Sequence, residues 1–222
     1  MNVRTERKEV LTNLKSEINQ GLDLLNLRFS DSQLTLLGNY LLALEKWNRT
    51  YNLTAIRNLT EMVSHHLWDS LAVFPHLPLA NPGASLLDVG SGPGLPGIPL
   101  AISSPHAPVT VLDSNQKKVA FMRQVVGELQ LGNVKVVGER VEAWHGEGLF
   151  QVIISRAYSE LSQFIDQTKH LLAQNGIFAA MKGRYPMQEI ENLQAEYRVC
   201  EVVKLAVPGL NAERHLVLVA RK

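Results

Sequence analysis

Apolar residues recur at helical intervals through the first third of the 222-residue chain. A first stripe, which marks one face of a predicted helix, consists of Leu11, Leu14, Ile18, Leu22 and Leu25. Ser30 and Gln33 have the spacing of a capping box, and leucines at helical intervals follow them, which predicts a second helix. Thr60 is expected to cap a third helix. We therefore predict a helical region over residues 1–75, followed by a proline-rich segment up to residue 83.

Beyond residue 85 the pattern changes to short apolar runs that alternate with helical stripes. The predicted strands cover residues 86–89, 109–112, 134–137, 152–154, 177–181, 197–205 and 215–220. The predicted helices cover residues 95–103, 161–172 and 187–195, with another that is capped by Ser114 and buries Val119, Met122, Val126 and Leu129. Because no helix separates the last two strands, they are expected to form a hairpin. Residues 76–222 are thus predicted to form an α/β domain with a mostly parallel, seven-stranded, Rossmann-like sheet and an antiparallel last strand.

The first predicted strand runs directly into a glycine-rich loop. Asp88 stands near the end of the strand, and glycine then occupies every second position at Gly90, Gly92 and Gly94. Glycine lacks a Cβ and tolerates positive φ, so this pattern predicts a tight turn whose backbone lies against a ligand. A loop whose glycines only shape a turn is the less favoured alternative, because prolines alternate with them.

Two ligands suit such a loop, a dinucleotide and S-adenosylmethionine. Gly92, Gly94 and Gly97 satisfy the dinucleotide pattern G-x-G-x-x-G, and Asp113 follows where a ribose-binding carboxylate is expected. The carboxylate of Asp88 argues against a dinucleotide, because it would repel a pyrophosphate but attract the ammonium group of a methionine moiety. The loop alone therefore leans toward S-adenosylmethionine.

The prolines and the predicted hairpin favour S-adenosylmethionine further. Pro93 and Pro96 remove backbone N–H donors that would otherwise hold a phosphate. A terminal hairpin is typical of class I S-adenosylmethionine-dependent methyltransferases. A methyltransferase is the favoured interpretation, and an NAD-dependent dehydrogenase is the remote one. For Asp113, ribose binding and capping of the following helix both stay open.

The segment after the fourth strand argues against several methyl acceptors. Methylation of exocyclic amines usually needs an Asn/Asp-Pro-Pro-aromatic turn there, and the common ribose 2′-O enzymes need an aspartate, whereas this chain has Ser155-Arg156-Ala157-Tyr158. Cytosine C5 methylation needs a nucleophilic cysteine, but Cys200 is predicted to lie in a peripheral strand. Guanine N7 carries a free lone pair, so alignment would suffice there and no catalytic acid or base is expected.

Motifs that are spread over nearly the whole chain point to one family. They are Lys46-Trp47-Asn48, Tyr51-Asn52-Leu53-Thr54, His66, Asp69-Ser70, the loop from Asp88 to Leu100, Leu112-Asp113-Ser114, Lys117-Lys118, Arg140-Val141-Glu142, Ile154-Ser155-Arg156-Ala157, Lys182-Gly183 and Glu213-Arg214-His215-Leu216. On these residues the chain resembles the RsmG (GidB) family of bacterial 16S rRNA guanine-N7 methyltransferases. The resemblance implies S-adenosylmethionine as the cofactor and a guanine in the decoding-region loop of 16S rRNA as the target.

The resemblance also implies roles for individual residues. It gives cofactor contacts to Gly90, Leu95, Val141, Glu142 and Arg156. Positions that a class I site would also use are Asp88, Gly92 and Asp113. Residues expected to face the RNA are Arg140, Lys182 and Arg214.

Two pairs of polar residues can each be interpreted in more than one way. Asn52 and Thr54 either end the second helix or lie at the mouth of the site. His66 and Asp69 are three residues apart on a predicted helix and are therefore candidates to hydrogen-bond to each other. No metal site is expected, because no cluster supplies three or four ligands at suitable spacings.

Charge and composition limit the expected partners. The formal net charge is +1, so RNA binding requires that basic residues gather on one face, which we expect at the carboxyl edge of the sheet. The single cysteine excludes an internal disulfide, and the first residues lack the apolar centre of a signal peptide. We expect a cytoplasmic monomer whose partner is 16S rRNA or the small ribosomal subunit, with no membrane. An RNA-binding assembly factor that keeps the cofactor fold is the alternative.

Overall fold

Two long antiparallel helices open the chain in the computed structural model, which describes residues 3–146, 148–158 and 160–222. They are α1 (Val3–Leu24) and α2 (Asp31–Tyr51). The capping box is confirmed: the backbone N–H of Gln33 donates to the Ser30 hydroxyl, and the backbone N–H of Ser30 donates to the Gln33 side chain. Asn52 ends α2 in the left-handed conformation, with φ 49°.

The third predicted helix differs from the expectation in its start and its geometry. It consists of α3 (Leu59–Met62), a π-helical segment (Val63–Trp68) and α4 (Asp69–Leu71). The predicted cap, Thr60, is wrong, because Asn58 caps the helix and its side-chain oxygen accepts from the backbone N–H of Thr60 at 2.9 Å. The indole of Trp68 packs against Gly21 of α1 and donates to the carbonyl of Ile18 at 3.3 Å, which fixes this segment against the first helix.

A seven-stranded sheet forms the centre of the molecule, as predicted. Its strands are β1 (Leu86–Val89), β2 (Val109–Leu112), β3 (Val134–Val137), β4 (Phe150–Ser155), β5 (Leu172–Lys182), β6 (Tyr197–Lys204) and β7 (His215–Arg221). They lie in the order β3-β2-β1-β4-β5-β7-β6. β7 pairs antiparallel with both neighbours, while the pairs among β1 to β5 are parallel. This arrangement confirms the mostly parallel sheet with an antiparallel last strand.

The helices between the strands are shorter than predicted. They are α5 (Gly97–Ser103), α6 (Gln116–Glu128), α7 (Leu161–Thr168) and α8 (Met187–Glu191). Ser114 is not the cap of α6, because the side-chain oxygen of Asn115 accepts from the backbone N–H groups of the first turn. The predicted buried stripe of α6 is confirmed at Val119 and Met122, whereas Val126 and Leu129 are only partly buried against the core and Phe121 and Val125 are buried in addition.

The N-terminal helices share a hydrophobic core with one face of the sheet. This cluster joins leucines of α1 and α2 to apolar residues of α5, α6 and the central strands. The phenol of Tyr40, which is fully buried in α2, donates to the carbonyl of Pro93 in the glycine-rich loop at 3.0 Å. The proposed boundary at residue 75 lies within a short 3-10 turn, Phe74–His76. The helical region thus contacts the glycine-rich loop through Tyr40 and packs on the sheet beside it.

Candidate active site

The glycine-rich loop leaves the carboxyl end of β1 in a conformation that suits glycine. Gly90 has φ 70° and Gly92 has φ 60°. The backbone N–H of Gly90 donates to the carbonyl of Leu112 at 2.9 Å, which ties the loop to the end of β2. A Cβ built on Gly90 would stand 2.7 Å from the Cβ of Ala157, which follows β4. The loop therefore fits between its neighbours only with glycine at this position.

Two buried carboxylates fix the loop from within. Asp88 accepts the backbone N–H of Gly97 at 2.8 Å through Oδ2. Asp113 accepts the backbone N–H of Gly92 at 2.8 Å through Oδ2 and that of Asn115 at 2.8 Å through Oδ1. Both sequence alternatives for Asp113 therefore remain compatible with the structure: it organises the turn before α6, and it lines the cavity described below.

Asp88 lies beneath the loop and does not line the neighbouring cavities. Burial raises the pKa of its carboxyl group to about 7, although the N–H of Gly97, Ser91 and the positive charge of Arg156 act in the opposite direction. Its Oδ1 atom is buried without a hydrogen-bond partner among the residues that the structure describes. A direct contact of Asp88 with the cofactor stays a prediction.

A first cavity, of about 180 Å³, lies at the carboxyl ends of β1, β2 and β3. It brings together four predicted cofactor residues, Gly90, Asp113, Val141 and Glu142. Tyr158, which sequence reasoning did not select, also lines it. Burial and the nearby charge of Glu142 raise the pKa of the Tyr158 phenol to about 12, so this side chain is a neutral hydroxyl at physiological pH.

A second cavity, of about 200 Å³, adjoins the first through Gly90, which lines both. Its wall contains the predicted cofactor residues Gly92, Leu95 and Arg156. Lys118 and Thr54 complete it on the side of α6 and of the chain after α2. The first cavity thus carries the carboxylates of Asp113, Glu139 and Glu142 together with Arg140, whereas the charged side chains of the second are the cations Lys118 and Arg156.

Thr54 reaches the second cavity because two buried side chains hold its loop. Its backbone N–H donates to the side chain of Asn48 at 2.8 Å, and its hydroxyl bonds to Nε2 of His66 at 2.8 Å. Burial, followed by the positive charge of Arg156, lowers the pKa of His66 to about 4, so the imidazole is neutral at physiological pH. The two predicted alternatives for this segment, the end of the helix or the mouth of the site, each apply to one residue. Asn52 ends α2, whereas Thr54 lines the cavity.

A third cavity, of about 350 Å³, adjoins the second through Arg156. Asp69 lies at its wall and contacts two arginines: Oδ2 is 3.1 Å from Nη1 of Arg156, and Oδ1 is 2.9 Å from Nε of Arg214. The carboxylate is 2% exposed, while the arginine side chains are 30% and 27% exposed. A buried anion therefore fixes two cations that still face the solvent.

The suggested hydrogen bond between His66 and Asp69 is wrong. His66 bonds to Thr54, and Asp69 bonds to the arginines. Residues three apart lie on the same face of an α-helix. The segment from Val63 to Trp68 is π-helical, so successive residues are placed differently around the axis. Arg156 also donates to the carbonyl of His65 at 3.3 Å, so it contacts this segment through the backbone as well as through Asp69.

The three residues predicted to face the RNA do not lie together. Lys182 and Arg214 line the third cavity, whereas Arg140 lines the first. Lys182 is buried, and its ammonium group is 2.6 Å from Glu189 and 3.2 Å from the carbonyl of Tyr158. Sequence reasoning missed Glu189, which also accepts the backbone N–H of Leu161 at 2.7 Å. Arg156, predicted for the cofactor, links the second and third cavities.

The described parts of the chain were compared with the requirements of a metal site and of a membrane-spanning helix. Residues 3–146, 148–158 and 160–222 contain no group of three or more histidine, cysteine or acidic side chains that could hold a metal ion. Over the same ranges, no helix has the length and apolar character required to cross a membrane. Cys200 is exposed in β6, at the edge of the sheet.

Solved structures with a similar fold are methyltransferases. TrmN from Thermus thermophilus superposes with a TM-score of 0.56 at 17% identity, covering 72% of this chain and 53% of TrmN. A SAM-dependent methyltransferase from Aquifex aeolicus gives a TM-score of 0.54 at 20% identity, covering 69% of this chain and 90% of that chain. At these identities the likeness establishes the class I methyltransferase fold.

Sequence comparisons are more specific. The ribosomal RNA small subunit methyltransferase G of Chromobacterium violaceum is 54% identical over 202 residues, which are 91% of this chain and 95% of the relative. The protein of the same name from Laribacter hongkongensis is 52% identical over 205 residues, with coverage of 92% and 97%. The model of the GidB family matches residues 33–217. These matches confirm a methyltransferase that uses S-adenosylmethionine and do not favour the dehydrogenase alternative. The chain belongs to the GidB family, rRNA small subunit methyltransferase G.

Proposed function

We propose that the protein methylates N7 of a guanine in the decoding-region loop of 16S rRNA. The observation that carries the proposal is the row of three adjoining cavities at the carboxyl edge of the sheet, joined by Gly90 and by Arg156. Ligands of open α/β sheets bind at this edge. The first two cavities suit the methyl donor, and the cation-lined third cavity suits RNA. The protein is proposed to act in the cytoplasm as a monomer.

The residues around the first two cavities fit S-adenosylmethionine, which supplies an electrophilic methyl group when it is bound. Asp113 and Glu142 would accept hydrogen bonds from ribose hydroxyls at one end. Lys118 and Arg156 would face the carboxylate of the methionine portion at the other end. Gly90 lines both cavities, and because it has no side chain it leaves the space where the two cavities meet free.

An acceptor such as guanine N7 matches the side chains of the third cavity. N7 has no proton to lose, and two titratable groups beside the second and third cavities already have partners: Asp69 contacts two arginines, and neutral His66 bonds to Thr54. The protein would therefore act by holding the base in line with the donor, an effect worth up to about 7–11 kcal/mol in favourable systems. Arg214, with its charge partly exposed, would contact the RNA backbone or the guanine.

The third cavity is also where Lys182 would act, although indirectly. Because its ammonium group is paired with Glu189 and bonds to the carbonyl of Tyr158, we expect it to position the segment after β4, which carries Arg156. Arg140 would contact RNA only at the periphery, since it lies beside the first cavity. We therefore propose a central RNA contact at Arg214 and a peripheral one at Arg140, in place of the single basic face expected from the sequence.

Mass mapping of rRNA tests the function directly. Small subunits purified from a strain that lacks this protein should lack 7-methylguanosine in the decoding-region loop, and purified protein with S-adenosylmethionine should restore it. Free 16S rRNA and assembly intermediates, assayed in parallel, identify the preferred substrate. Unchanged 7-methylguanosine in the deletion strain would refute the proposal, and a subunit-assembly defect without a methylation defect would favour the assembly-factor alternative.

A further inference from the structure

A short loop beside the third cavity presents an aromatic ring to the solvent. The segment, here called the rim loop, comprises residues 183–187 and runs from the end of β5 to Met187, the first residue of α8. Gly183, its first residue, lines the third cavity next to Lys182. Tyr185 is 52% exposed and Met187 is 62% exposed, while Pro186 between them is buried. Two large apolar side chains therefore project from the same edge of the sheet as the arginine-lined cavity.

Packing holds the Tyr185 ring in place. Its centroid lies 5.7 Å from that of His215, and the two ring planes meet at 89°. His215 is itself buried, and its Nδ1 donates to the carbonyl of Gly183 at 3.1 Å, since a carbonyl can only accept. The backbone N–H of Met187 donates to the carbonyl of Tyr185 at 3.1 Å. The Tyr185 ring thus has one packing contact with His215 and is still half exposed, so it is held in place for a flat partner.

The charges around the rim loop indicate the kind of partner. Arg184 precedes Tyr185 and is exposed, and Arg214 lies at the adjoining cavity with 27% of its side chain exposed. An exposed aromatic ring together with nearby guanidinium groups is a combination that binds unpaired nucleotides, because bases stack on the ring while phosphates bind the cations. Leu149, which is also exposed, lies directly before β4 and therefore at the opposite edge of the sheet.

We propose that Tyr185 is a stacking site for an unpaired nucleobase of the RNA substrate, next to the guanine held in the third cavity, and that Arg184 contacts the adjoining phosphate. The inference rests on the proposed function and extends it by naming a specificity-determining residue. It requires that the nucleotides flanking the target be single-stranded, because a paired base is already stacked and cannot lie on the tyrosine.

The test is RNA affinity, measured by fluorescence anisotropy with a labelled hairpin that carries the decoding-region loop of 16S rRNA. Y185A should weaken binding about tenfold, Y185F should bind like the wild type, and L149A should be unchanged. Salt dependence separates the two contacts: Y185A should leave the slope of log Kd against log salt unchanged, while R184A should reduce it by about 0.7. The affinity for S-adenosylhomocysteine, measured by calorimetry, should be the same in all four variants.

Failure of this inference is distinguishable from failure of the proposed function. Equal RNA affinity of Y185A and the wild type would overturn the stacking site while leaving methylation by the wild type intact. Loss of affinity only for intact small subunits, with unchanged affinity for the hairpin, would overturn it in favour of a contact with a ribosomal protein. A wild type that binds no RNA and methylates no subunit would overturn both.

Discussion

The two halves of the site are built in different ways. The cofactor half centres on the glycine-rich loop after β1, which the carboxylates of Asp88 and Asp113 hold by accepting the backbone N–H groups of Gly97 and Gly92. The acceptor half is assembled from four separate segments, which contribute Asp69, Arg156, Lys182 and Arg214. The first half is fixed mainly by backbone shape and the second by ion pairs. A substitution should therefore fail by steric strain in one half and by loss of charge positioning in the other.

The largest effect is expected for Gly90→Ala. The new Cβ would meet Ala157 at 2.7 Å in a backbone with φ 70°, so both overpacking and the left-handed conformation oppose it. We expect a loss of about 2–5 kcal/mol in unfolding free energy and at least tenfold weaker cofactor binding. Urea denaturation and calorimetry measure the two effects.

Gly83→Ala is the matched control for that substitution. Gly83 has φ 77°, but no heavy atom lies within 4 Å of a Cβ built there. It should cost only about 1–2 kcal/mol, from the backbone alone, and leave cofactor affinity unchanged. Equal losses in the two variants would show that the close approach to Ala157 is unimportant.

The second expectation concerns pH, because the site contains two buried groups, His66 and Asp88, whose pKa values shift in opposite directions. His66 has a lowered pKa, so its contribution to stability is present above about pH 6.5 and is lost as the pH falls toward 4. Asp88 has a raised pKa, so its contribution is present below about pH 3.8 and is lost as the pH rises toward 7. Each effect amounts to about 3–4 kcal/mol, and they oppose each other between pH 4 and 6.5.

A variant that lacks one of these two titrating groups should show the pH dependence of stability that the other group causes. In the absence of cofactor, Asp88→Asn should become more stable relative to the wild type as the pH rises from 4 to 6.5, and His66→Gln should become less stable. Urea denaturation at several pH values provides the comparison, and the other titrating groups are common to all three proteins. Parallel stability curves for the three would contradict the assigned shifts.

Asp69→Asn tests the acceptor half more narrowly. Neutralising the carboxylate would release Arg156 and Arg214, whose partial exposure limits the loss of stability to about 1–3 kcal/mol. Methylation should fall at least tenfold, while cofactor affinity should fall by a smaller factor, because the glycine loop keeps its own contacts and only Arg156 is shared between the two halves. Asp166→Asn, which breaks an exposed pair with Lys169, is the control and should alter neither property. Loss of cofactor binding in Asp69→Asn would show that the halves are not separable.

The smallest effect separates the two arginines among the three positions predicted to face RNA. Arg214→Gln should weaken RNA binding about tenfold, whereas Arg140→Gln, beside the first cavity, should weaken it about threefold or less. Filter binding with the rRNA hairpin measures both. If Arg140→Gln has the larger effect, the RNA lies across the first cavity instead of the third.

The sequence predicted the cofactor half better than the acceptor half, for a physical reason. Local rules govern the strand ends, the alternating glycines and the capping box, so these elements were predictable from spacing. Asp69 meets Arg156 and Arg214 across 87 and 145 residues, and no local periodicity encodes such contacts. The π-helical segment that places Asp69 also departs from the α-helical period on which the prediction relied. The burial of Lys182 with Glu189 was likewise inaccessible, since only packing of α8 against the strand end creates it.

A crystal structure with bound S-adenosylhomocysteine tests the central claim, the division of the site between donor and acceptor, most directly. The account predicts that the cofactor spans the first and second cavities, with its ribose at Asp113 and Glu142 and its amino-acid end toward Lys118 and Arg156. The third cavity, with Asp69 and Arg214, should remain open to the solvent. A cofactor bound against Asp69 and Arg214 would contradict the account, because the space proposed for the guanine would then be filled.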